Sequence, residues 1–86
     1  MLATVGYLHN MSVVVNRFAL KALREKDGQS VAGLARLAGI SRVYLHRIEA
    51  GTRNASPAIR KDLAAGLKVP TSAIETVKAD EDRIAA

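Results

Sequence analysis

The stretch "GISRVYLHRIEAG" (Gly39–Gly51) decides the fold. Ser41 is placed to cap a helix and Gly51 to stop it, which predicts a helix over 42–50. Leu45 and Ile48 fall on one side of that helix, with Ile40 plugging the turn before it. Arg42, Val43, His46 and Arg47 project from the other side. The helix therefore carries an apolar stripe to bury and a basic stripe to present.

Upstream, Val31, Leu34, Ala35 and Ala38 repeat at i, i+3, i+4, i+7 and predict a helix over 31–38, capped by Ser30 and ended by Gly39. Gly33 inside it costs about 1 kcal/mol relative to Ala, marking either a close backbone approach or a weak helix. Two helices joined by only "GIS" must cross at a large angle, the helix-turn-helix arrangement. Gly39, Ile40 and the small Ala35 would serve any compact helical hairpin, so this pair alone does not separate DNA binding from a structural role.

Further out, Asn16 and the "DG" at Asp27–Gly28 bound a first helix over 17–26, with Ala19, Leu20 and Leu23 on its apolar side and Ala22 beside them. Phe18 falls off that stripe, which leaves it to pack on the N-terminal segment or to form a dimer contact. "SP" at Ser56–Pro57 opens another helix, carried by Ile59, Leu63, Ala64 and Leu67 to Lys68 and stopped at Val69–Pro70. A short fifth helix from Thr71 or Ser72 would use Ile74 and Val77. The β-branched "SVVV" (Ser12–Val15) suits a strand, residues 1–10 show no helical period, and Met11 is an alternative start. The expected fold is all-α: four to five helices, with a possible short extended N-terminal segment. The expected organisation is an extension at 1–15, flexible or a short strand, a helix-turn-helix domain at 16–77 with its central pair at 31–50, and an acidic tail at 78–86.

Composition agrees. The 86 residues contain no Cys, no Trp, one Phe, two Tyr and two His. That excludes a disulfide framework, disfavours a structural metal site and leaves aliphatic packing to make the core. No apolar run approaches the ~20 residues that span a membrane, and no secretion signal is visible. A cytoplasmic protein is expected. There is no Cys nucleophile, no glycine-rich phosphate loop and no carboxylate pair with walls for a cleft, so neither an enzyme nor a cofactor or small-molecule ligand is expected. The apolar faces suit a globular core rather than one amphipathic surface helix, which argues against a membrane partner.

The net charge of +5 is sorted along the chain. Between Gln29 and Lys61 stand six basic residues (Arg36, Arg42, Arg47, Arg53, Arg60 and Lys61) against one acid, Glu49. From Glu75 to Ala86 four acids stand against Lys78 and Arg83. Segregated positive charge points to a polyanion, nucleic acid first. Arg42 and Arg47 can each offer a bidentate fork to guanine O6 and N7, and Val43 can touch a thymine methyl. His46 is either solvated or a DNA contact. Tyr44 either packs its ring or turns its hydroxyl to a phosphate. The loop "GTRNAS" (Gly51–Ser56) sets Arg53 and Asn54 beside backbone amides before a helix start, a phosphate clamp.

The stretch "LKALREKDGQSVAGLARLAGISRVYLHRIEAGTRNASP", followed by "LAAGLKVP", resembles the lambda-repressor/Cro-type helix-turn-helix family, often called XRE-type regulators. The resemblance runs from about Val15 to Ile74. Its elements are Leu34–Ala35, "GIS", "YL-x-x-IE-x-G" from Tyr44 to Gly51, and "R-N-x-S-P". It implies a helix 42–50 lying in the major groove, with base reading by Arg42, Val43 and Arg47. It implies phosphate contacts at Gln29, Ser30, Arg53 and Asn54, and an ion pair between Arg24 and Glu49; Ser41, Tyr44 and His46 complete the set of phosphate or auxiliary candidates. Val31, Gly33 and Ala55 depart from the family's frequent Gln, Glu and Pro, which moves expected affinity onto the arginines.

The expectation is a sequence-specific regulator binding double-stranded DNA, most simply a small Cro-like phage or bacterial repressor, since so short a chain leaves no room for a large effector domain. A pseudo-palindromic operator and a homodimer, formed in solution or only on DNA, go with it. Candidate dimer surfaces are Ile74 and Val77, the acidic tail, or "SVVV" paired with its copy. An antitoxin that regulates its own operon, or a protein-interaction module without DNA, are the alternatives.

Overall fold

The computed structural model describes residues 11–79, with side chains at 12–78; expectations for residues 1–10 and 80–86 lie outside the described residues. The elements are β1 (Met11–Val15), α1 (Arg17–Lys26), α2 (Val31–Ala38), α3 (Arg42–Ala50), α4 (Pro57–Leu67), a single 3-10 turn (Thr71–Ile74) and β2 (Glu75–Ala79).

Each helix begins where a side chain can replace its missing backbone partner. Asn16 Oδ1 accepts from the Ala19 amide at 3.1 Å, and the hydroxyls of Ser30, Ser41 and Ser56 accept from the amides of Gly33, Tyr44 and Ile59 at 2.9, 3.0 and 3.2 Å. Such caps contribute about 1 kcal/mol each and fix the entry of each helix. A Cβ on Gly33 would lie 3.1 Å from the Ser30 hydroxyl, so the glycine keeps that cap uncrowded. The turn between α2 and α3 closes through Gly39, at φ 72°, with the Gly39 and Ile40 amides donating to the Arg36 and Ala35 carbonyls. This left-handed end reverses the chain within three residues, the conformation glycine adopts without steric cost.

The core is aliphatic. Leu20, Leu34, Leu45, Ile48, Leu63 and Ile74 are fully buried, and Ala35, Ala38, Ala55, Ala64 and Leu67 fill between them. The fit between α2 and α4 depends on Gly66, where a Cβ would meet Leu34 Cδ1 at 3.0 Å and Leu37 Cβ at 3.3 Å. On α1 the buried apolar residue is Leu20, while Ala22 is exposed.

The expected fifth helix is corrected. Thr71–Ile74 is one turn of 3-10 helix, and the chain then extends into β2, which pairs antiparallel with β1 in the register Val13↔Val77, Val14↔Thr76 and Val15↔Glu75. Ile74 and Val77 mimic a helical i, i+3 pair, but only Ile74 reaches the core, and Val77 stands across from Val13 on the ribbon. The Asn16 amide donates to the Ile74 carbonyl at 2.7 Å and ties the ribbon to the start of α1. The ribbon pairs residues 11–15, within the expected extension, with residues 75–79, the last two of which fall in the expected tail. "SVVV" pairs within its own chain. Ile74, with no exposed surface, is unavailable as a dimer contact. No helix among the described residues is long and apolar enough to cross a membrane.

Candidate nucleic-acid interface

α3 is mounted from behind by an ion pair. Arg24 Nε and Nη2 donate to Glu49 Oε2 and Oε1 at 2.7 and 3.0 Å, a two-pronged contact with both side chains buried. Arg24 Nη1 also donates to the Gln29 carbonyl at 2.8 Å, so one guanidinium joins the ends of α1 and α3 to the start of α2. The hydrogen bond to Glu49 raises the Arg24 pKa above its ordinary value against the opposing effect of burial, and the charge of Glu49 adds to the rise. The far end of α3 is held from α1 as well: Arg17 Nη1 donates to the Glu49 carbonyl at 3.3 Å. Gly51 ends the helix at φ 83°, where a Cβ would stand 2.8 Å from Arg17 Nε, so geometry and space both favour glycine.

With Leu45, Ile48 and Glu49 buried, Arg42, Val43, His46 and Arg47 remain on the exposed side of α3. Arg42, Val43 and His46 share a concavity with Val31 from the first turn of α2. Ser30 and Ser41 stand at the edges of this surface with their hydroxyls engaged as helix caps. Gln29 is more constrained than expected: its amide nitrogen donates to Asp27 Oδ2 at 2.5 Å and to the Gly66 carbonyl at 3.2 Å, which brace the start of α2 against α4.

The loop after α3 is held by Tyr44. Its hydroxyl donates to the Asn54 carbonyl at 3.1 Å, and the Arg53 guanidinium lies over its ring, 5.3 Å from the centroid. In this structure the ring and hydroxyl of Tyr44 both organise the loop. Phe18 does not pack into the domain; it is 70% exposed, with the Arg17 guanidinium 4.2 Å from its ring centroid.

Arg60, counted with the basic surface from sequence, is buried. Its Nε donates to Glu75 Oε2 at 2.6 Å and its Nη1 to the Ala55 carbonyl at 2.8 Å. The signal was available: Arg60 sits one position after Ile59, three before Leu63 and seven before Leu67, inside the apolar stripe of α4. The surface tally becomes simpler. Between Gln29 and Lys61 the one acid, Glu49, is buried with Arg24, and Arg36, Arg42, Arg47, Arg53 and Lys61 are exposed. The surface of this stretch is uniformly cationic.

The fold and this mounted helix define a helix-turn-helix domain. A family model described as a helix-turn-helix domain matches residues 18–77, and the chain belongs to that XRE-type helix-turn-helix family. Among solved structures, the chain is similar to the restriction-modification controller protein C.AhdI from Aeromonas hydrophila, with 33% identity, a TM-score of 0.64, and coverage of 67% of this chain and 91% of that one. It is also similar to an HTH_3 family transcriptional regulator from Vibrio cholerae, with 34% identity, a TM-score of 0.64, and coverage of 67% of this chain but 33% of the Vibrio protein. A third similar structure is a variant of the restriction-modification controller protein C.Esp1396I, with 26% identity, a TM-score of 0.61, and coverage of 63% of this chain and 68% of that one. No curated protein sequence matches the chain.

Proposed function

We propose that the protein is a sequence-specific regulator of transcription that binds double-stranded DNA through α3. The observation that carries the reading is the charge left exposed on and after α3: Arg42 and Arg47 on its exposed side and Arg53 in the loop that follows, with the helix's one carboxylate, Glu49, buried behind it. A helix so mounted offers forked donors to base edges and no charge that repels phosphate. Arg42, Val43 and Arg47 read bases. Arg53, Asn54 and the cap amides near Ser30 and Ser41 meet phosphates, His46 is auxiliary, and Tyr44 and Gln29 hold the loop and the start of α2 in place.

In its simplest form the protein is a small Cro-like repressor acting as a homodimer on a pseudo-palindromic operator, in the cytoplasm of a bacterial or phage-infected cell and on its nucleoid. The exposed cross-strand pair Val13 and Val77 is the apolar patch on the ribbon that a second copy would cover. A second reading, control of restriction-modification genes, is favoured by one observation: the similarity takes in 91% of C.AhdI.

Two substitutions separate reading from clamping. Arg47→Ala is expected to weaken the preferred site by about 1–3 kcal/mol and to relax the preference at one base pair. Arg53→Ala is expected to weaken all duplexes alike and to lower the log–log salt slope by about one. Fluorescence anisotropy titrations over a salt series measure both effects. An unchanged sequence preference in both Arg42→Ala and Arg47→Ala would overturn the assignment of α3 as the reading helix.

A further inference from the structure

Beside the arginines of α3 lies an apolar concavity of about 280 Å³, lined by Val31, Arg42, Val43 and His46. Val31 is the first residue of α2 and half-buried; Val43 is the second of α3 and 52% exposed. The two valines come from different helices and line one concavity, so the helix-turn-helix itself builds the notch. Arg42, which is exposed, lines the same concavity. On a proposed DNA-reading face, covering this apolar surface with an apolar group of the duplex is favourable. The space is smaller than a typical drug-sized pocket, about 300–1,000 Å³, and suits the edge of one base better than a separate ligand.

Among the groups displayed in the major groove of unmodified DNA, the thymine C5-methyl is apolar, while the remaining groups donate or accept hydrogen bonds. We infer that the Val31–Val43 notch is a thymine-methyl site, and that Val31 is a specificity-determining residue although it lies outside α3. Arg42, which lines the same notch, would read a guanine next to that thymine, so that the pair of contacts selects a thymine–guanine step. The inference rests on the DNA-binding reading above and adds to it a residue, a chemical group and a neighbour preference.

The test is a uracil scan. Once a preferred duplex is in hand, each thymine of a half-site is replaced in turn by deoxyuridine, which removes the methyl and keeps base pairing. One position per half-site is expected to lose about four-fold in affinity, the factor equivalent to burying one methylene at about 0.8 kcal/mol. The position should lie beside a guanine whose replacement is felt through Arg42. In Val31→Ala, checked by melting to be folded, the thymine-to-uracil penalty should shrink toward one-fold while binding to the uracil duplex changes little; in Val43→Ala, likewise folded, the penalty should shrink on a background of weaker binding to both duplexes. A flat scan on a duplex the protein still prefers would overturn the methyl site and leave the DNA-binding reading standing. So would a sensitive thymine whose penalty persists in both valine variants. Failure to find any preferred duplex would instead remove the reading on which the inference rests.

Discussion

Glu49→Ala is expected to lose about 3–5 kcal/mol of folding stability, a large part of the ~5–15 kcal/mol that holds a small domain together. The substitution removes the acceptor of two Arg24 hydrogen bonds and leaves a buried arginine, 8% exposed, without its counter-charge. Arg24 keeps its bond to the Gln29 carbonyl, which holds the unpaired charge near its buried position. For a domain of this size the loss corresponds to a fall in melting temperature of roughly 15 °C or more. Calorimetry or circular dichroism on heating measures it, and a variant that melts like the parent would contradict the mounting of α3. The outcome also separates two roles for the carboxylate. If Glu49 faced the DNA, its removal would strengthen binding without touching stability. The pH dependence from the arginine side follows from its raised pKa. The stability it contributes is fully present below the ordinary arginine range and is lost only as pH rises through the still higher folded value. Arg24 therefore adds no pH dependence at neutral or mildly alkaline pH.

Arg60→Ala is expected to cost about 2–4 kcal/mol, somewhat less because Glu75 keeps 22% of its side chain exposed and can hydrate when abandoned. The Ala55 carbonyl, in a buried contact, also loses its donor. Because Arg60 joins α4, the loop after α3 and the first residue of β2, hydrogen exchange should quicken in the ribbon amides as well as in the loop. A double-mutant cycle with Glu75→Ala should return a coupling of about 0.5–3 kcal/mol. Independent, additive effects would mean the ion pair contributes nothing to stability.

These two residues mark the limits of what could be read along the chain. Helix limits were legible because they are local chemistry: Asn16, Ser30, Ser41 and Ser56 each cap the helix that follows. The Arg24–Glu49 pair was expected from resemblance alone, since nothing local joins positions 25 residues apart. β1 looked like a strand, but its partner is sixty or more residues away and its pairing is set by tertiary contacts. "TSAIETV" reads as a helix start because Ile74 and Val77 share its period; burial of Ile74 and pairing of Val77 override that local pattern. On the candidate interface the exposed set on α3 followed from the buried set. The concavity did not, because it needs Val31 and Val43 from two helices at once, and no single helical period shows it. Tyr44 was ambiguous for a related reason: whether its hydroxyl is free depends on the path of the loop at Asn54.

The central claim is that α3 reads bases in duplex DNA. Selection of bound sites from a random duplex pool tests it most directly. The expected result is one enriched half-site containing guanine, recovered in two copies about one helical turn apart, or ~34 Å, with the guanine preference lost in the Arg42→Ala, Arg47→Ala double variant. A pool that stays random while the folded protein binds it, or the same enriched sequence from the double variant, would contradict the claim.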